Sequence, residues 1–136
     1  MKTFLLALLI SFALVSCKKD ENPSANGNPN LVGNWINPQY NDTIVTYDRA
    51  QSLVENQYGF TFKSDNTLIE RQLSGWCGTP PISTADYDGT WNWNDSIVNI
   101  TAGYWGGKVD YTWKVLKLND LKLVISILKT EYHQEK

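Results

Sequence analysis

The chain has 136 residues, is 42% hydrophobic and carries a formal net charge of −2, with 12 basic and 14 acidic side chains. No basic stripe is present to follow a phosphate backbone, which argues against nucleic acid as a partner. A single histidine, His133, excludes a histidine-based triad or a multi-histidine metal site, and Cys17 and Cys77 are the only thiols.

The first element in chain order reads as a secretory signal. Lys2 supplies a positive start, and Phe4 to Val15 is apolar apart from Ser11. About a dozen apolar residues are too few for a permanent span but suit the core of a cleaved signal. The run Leu14-Val15-Ser16-Cys17 resembles the lipobox of bacterial lipoproteins. That resemblance implies cleavage before Cys17, lipidation of Cys17 as the first mature residue, and anchoring in the outer membrane on its periplasmic or cell-surface face. Residues 1–16 are then signal peptide, and residues 17–30 the lipidated cysteine and a flexible tether. Lys18-Lys19-Asp20-Glu21-Asn22 is similar to an acidic surface-export signal and reads equally well as a solvated linker. Pro23 to Asn30 holds no aliphatic residue larger than Ala25, so it cannot bury enough surface to offset its ordering entropy.

Residues 31–136 form one domain, long enough to bury a core without disulfides or metal. Its dominant period is two, the period of strands. Trp35 opens a short strand beside Gly33 that is expected to stop by Pro38. Thr43 to Asp48 is β-branched and aromatic, and Arg49 to Asn56 is read as extended. Tyr58, Phe60 and Phe62 alternate with polar residues, turn at Ser64-Asp65-Asn66, and return through Thr67 to Leu73. Trp91 and Trp93 alternate, turn at Asn94-Asp95, and return through Ile97 to Thr101. Val109, Tyr111, Trp113 and Val115 form the cleanest amphipathic strand; Leu121, Leu123, Ile125 and Ile127 answer it after Leu118-Asn119-Asp120. Two aromatic, glycine-bearing loops interrupt the pattern, Ser74 to Asp88 and Ala102 to Gly107. The sum is an all-β fold, an up-and-down antiparallel barrel of about eight strands, closed so that no edge is exposed.

Several of these segments resemble bacterial lipocalin-like lipoproteins. Leu31-Val32-Gly33-Asn34-Trp35 carries the G-x-W start of lipocalins. Phe60 to Leu68 is similar to their first hairpin, Gly89-Thr90-Trp91 with Asp95-Ser96-Ile97 to their second, and Tyr111 to Val115 with Asp120 to Ile125 to their closing one. The resemblance implies a lipocalin-like barrel preceded by the signal and tether.

The chemistry-bearing residues point to binding, not turnover. No catalytic residue, metal ligand or cofactor site is expected. Asp86 and Asp88 flank Tyr87 and read as a solvated loop end. A nucleophilic cysteine needs a nearby base or positive field to form its thiolate, and the sequence offers Cys77 no obvious candidate, so catalysis by it is not expected. Trp35, Phe60, Phe62, Trp91, Trp93, Tyr111 and Trp113 fit the alternation of a core. Trp76, Tyr104 and Trp105 fall off it. They either cap the barrel end or cover a pocket for a small apolar or aromatic ligand; alternatively, they present a contact surface to an envelope protein or glycan. Two hairpin connections separated by two strands lie at one end of a meander, so these three aromatics and Cys77 are expected together there. The anchor has its own test: Cys17→Ser is expected to release the protein from membranes or leave it uncleaved, read by fractionation and the mass of the mature chain.

Overall fold

The computed structural model describes residues 28–136. The signal, Cys17 and the tether through residue 27 lie outside the described residues. The eight strands are β1 (Gly33–Asn41), β2 (Ile44–Ala50), β3 (Gly59–Phe62), β4 (Thr67–Leu73), β5 (Thr84–Asn94), β6 (Ile97–Tyr104), β7 (Gly107–Leu118) and β8 (Lys122–Gln134). All neighbouring pairs are antiparallel, and the sheet closes into a barrel. Among the described residues the helical content is a single 3-10 turn, Pro29–Leu31, capped by the Asn28 side chain.

From β3 to β8 the strands follow one another as the sequence predicts. The first hairpin enters the other way round: β1 lies between β2 and β3, and β2 pairs with β8 to close the barrel. Residues 51–58 therefore cross the outer face of β1. Asn34 Nδ2 donates to the Gln51 carbonyl at 2.8 Å, and the side chains of Leu53 and Ile36 meet over Gly59. Asn34 and Ile36 alternate with the inward Trp35, which puts both on the face that the crossing segment covers.

Four sequence expectations change in detail. β1 runs past Pro38 because a bulge between Ile36 and Gln39 absorbs the proline, with Asn37 at φ 55°. The Ala102–Gly107 loop shrinks to a two-residue turn, Trp105 and Gly106, so Ala102 and Tyr104 are buried strand residues. Gly107 at φ 145° makes the tight turn possible, since a side chain there would strike the His133 carbonyl. The long loop is Ser74 to Ser83, and Asp86 and Asp88 sit on the outer face of β5, where Asp86 holds Arg71 at 2.6 and 2.8 Å. Finally, the polar C-terminal stretch is strand: β8 continues to Gln134, and His133 meets Asp110 at 2.9 Å.

A bulge in β8 makes that extension useful. Trp113 faces Ile127 while Thr112 faces Lys129, leaving Leu128 unpaired and exposed. The extra residue reverses the alternation. Leu123, Ile125 and Ile127 point inward before it; Thr130, Tyr132 and Gln134 do so after it.

One end of the barrel is plugged. Trp35 is fully buried, and its indole Nε1–H donates to the Leu31 carbonyl at 2.8 Å. The Arg49 guanidinium lies over the indole ring, 4.3 Å from its centroid, and donates to the Val32 and Asn30 carbonyls. Gly33, at φ 134°, leaves room for that guanidinium. Trp91 repeats the device, donating its indole N–H to the carbonyls of Lys63 and Thr67 at 3.1 Å. Phe62 meets Trp91 edge to face, with centroids 5.5 Å apart. The sequence-assigned core is thus the observed one, with Trp93 and Tyr111 packed at its margin.

Every strand, the β2–β8 closure and the plug lie within residues 28–136, so this segment folds as a unit. In a urea melt of that segment, Trp35→Ala is expected to lose about 3–5 kcal/mol, the range for truncating a fully buried large aromatic. A loss below about 1 kcal/mol would show that the plug is peripheral.

Candidate functional site

Above the plug the interior opens into a cavity of about 750 Å³, reached from the end where β6 turns into β7. Its floor is aromatic: Tyr47, Phe60 and Trp113. Tyr47 stacks on Trp113 with centroids 6.0 Å apart, and Phe60 meets Trp113 edge to face at 5.0 Å. Period-two alternation on β2, β3 and β7 aims these three rings inward, and their contacts separate cavity from plug. The rim is aromatic and polar. Tyr40 and Tyr58 come from the β1 and β3 side, and Tyr104, Trp105 and Tyr132 from the opposite wall. Tyr104 lies edge to face with both Trp105 and Tyr132, at 5.6 and 5.2 Å. Gln72, Thr130 and Gln134 supply the polar groups between them.

One acidic side chain faces this interior. Glu70 on β4 is only 6% exposed and is the one buried charged or polar residue among those described. It follows Leu68 by one strand period and is therefore turned inward, beside Phe60 across the β3–β4 pair. The Tyr111 hydroxyl donates to Glu70 Oε1 at 2.8 Å. Glu70 Oε2 is buried without a hydrogen-bond partner, and so is Trp113 Nε1, another lining group. Burial pushes the Glu70 carboxyl up to about 8, partly offset by the Tyr111 hydrogen bond, which favours the ionised form. The same burial raises Tyr47 and Tyr111 well above the usual phenol value, with the Glu70 charge adding to it. Both phenols are neutral donors at any physiological pH.

Of the three aromatics singled out by sequence, Tyr104 and Trp105 line the cavity. Trp76 does not. It stands on the Ser74–Ser83 loop, at the same end of the barrel, 80% exposed. Cys77 beside it is exposed too, with Thr79 Oγ1 3.2 Å from its sulfur. That hydrogen bond lowers the thiol below its usual value without supplying a base. Sequence reasoning missed Glu70, Tyr40, Tyr58 and Tyr132. The signal for Glu70 was its phase with Leu68, but Ile69 and Leu73 offer a competing apolar face on the opposite parity. The signal for Tyr132 was hidden by the bulge at Leu128.

Among the described residues, no group of three His, Cys, Asp or Glu side chains is placed to hold a metal ion, and no helix is long and apolar enough to cross a membrane. Comparisons with protein-family models, curated proteins and solved structures find no match to the chain.

The buried carboxyl links stability to pH. An unfolded chain loses the Glu70 proton near 4.5, the folded one near 8. The contribution is complete below about pH 4.5 and is lost as pH rises through about 8, at about 1.4 kcal/mol per pH unit inside that window. Asp48, Asp65, Asp86 and Asp110 are all lowered by hydrogen bonds, chiefly from Lys122, Thr67, Arg71 and Thr101, and titrate below the window. Urea melts at about pH 5.5 and about pH 7.5 are expected to show a loss in the wild type that Glu70→Gln abolishes. Equal losses in both proteins would mean that Glu70 titrates as an exposed acid.

Proposed function

We propose that this is a lipid-anchored envelope lipoprotein whose lipocalin-like barrel binds a small ligand with an aromatic or apolar body, without turning it over. The observation that carries the reading is the 750 Å³ cavity, lined from seven of the eight strands by rings and a few polar groups. That size and mixture is typical of small-molecule sites. A barrel filled by side chains would instead favour the interaction-module reading, in which exposed loop aromatics engage an envelope protein or glycan. The anchor part of the proposal rests on the Leu14 to Cys17 run. That run supports a barrel held at the outer membrane by lipid on Cys17.

The test uses residues 28–136 and N-phenyl-1-naphthylamine, a neutral apolar fluorophore. Saturable enhancement of its fluorescence with one site per chain is expected, together with quenching of tryptophan emission by Trp105 and Trp113. Tyr47→Trp, which enlarges a floor side chain, is expected to weaken the dye by about tenfold through overpacking of the cavity. No saturable binding by the folded domain would overturn the ligand reading.

A further inference from the structure

The cavity's shape and rings set the size of a ligand; Glu70, the one acidic residue that lines it, sets the chemistry. We propose that the ligand is a small organic cation, an ammonium carried on an aromatic or apolar body, with Glu70 as its counter-charge. This inference rests on the reading that the cavity binds a ligand at all.

Three observations converge on it. First, Glu70 is oriented and left incomplete. Tyr111 holds Oε1 at 2.8 Å, while Oε2 is buried and unpartnered, and Glu70 is one of the residues that line the cavity. A buried carboxyl is costly unless a donor or counter-charge meets it. Second, the protein does not supply that counter-charge. Among the described residues no cationic side chain forms an ion pair with Glu70. Arg71, the next residue on β4, is also among the lining residues, but its guanidinium is held by Asp86 on the outer face of the sheet. Third, the surroundings favour positive charge. Tyr47, Phe60 and Trp113 form the floor next to Glu70, and ring faces attract cations in proportion to how dry the site is. Tyr111 donates toward the carboxylate, which stabilises its ionised form. A cation favours the ionised form of Glu70, whereas an anionic ligand would oppose its ionisation. A neutral one would gain only an ordinary hydrogen bond, worth less than a charge-assisted one.

The test is displacement of N-phenyl-1-naphthylamine from residues 28–136 by three indoles of similar size: tryptamine, which is cationic, tryptophol, which is neutral, and indole-3-propionate, which is anionic. Tryptamine is expected to displace the dye at concentrations about 10- to 100-fold lower than tryptophol, with indole-3-propionate weakest. Glu70→Gln is expected to bring tryptamine and tryptophol together while the dye still binds. If the dye binds the wild type but tryptamine shows no advantage over tryptophol, the cation inference is wrong and the ligand reading stands. If neither the dye nor any indole binds, both are wrong. Should Glu70→Gln fail to fold, the order of the three indoles on the wild type decides the matter alone.

Discussion

A fold closed at one end and open at the other depends on the indole of Trp35. It sits at the start of the first strand, donates to Leu31 behind it and lies under the guanidinium of Arg49. Three backbone carbonyls of the entering segment, those of Asn30, Leu31 and Val32, are thereby tied across the base of the barrel. These are groups that a loop over an apolar core would otherwise leave unpaired. Trp91 performs the same task for the β3–β4 turn. With the base sealed by tryptophan, the remaining volume collects at the far end, where Tyr, Gln and Glu face inward in place of aliphatic residues.

The closed barrel and its core were legible because period-two alternation is strong where one face is buried. Val109, Tyr111, Trp113 and Val115 read unambiguously, as did Phe60 and Phe62. Legibility failed where a single extra residue reverses the phase. The bulge at Asn37 carries β1 through a proline that sequence rules treat as a stop. The bulge at Leu128 turns an apparently polar tail into cavity wall. The strand order was illegible for a different reason. Which of β1 and β2 lies beside β3 is decided by a surface crossing of residues 51–58, and that segment carries no periodic signal. Glu70 was missed because β4 has apolar residues on both parities, so only the register with β3 and β5 selects the inward set.

The two ends of the barrel thus divide the work by composition. The base spends its aromatic side chains on mutual contacts and on hydrogen bonds to backbone, leaving nothing for a solute. The cavity end leaves rings part-covered and, among the described residues, two buried polar atoms without partners, Glu70 Oε2 and Trp113 Nε1, while Arg49 Nε is the corresponding atom at the base. The exposed Trp76, outside that cavity, belongs to neither group.

The pairing of β2 with β8 has a consequence for how the chain reaches this state. Ile44 meets Ser126 and Asp48 meets Lys122, so the seam joins the two ends of the domain. A sheet of seven strands would carry bare edges on β2 and β7, with rows of unpaired amides able to recruit another chain. Closure waits for the last strand, and contacts of such long sequence separation form slowly. A chain that lacks the thirteen-residue β8 is therefore an open sheet with two bare edges, not a slightly smaller barrel.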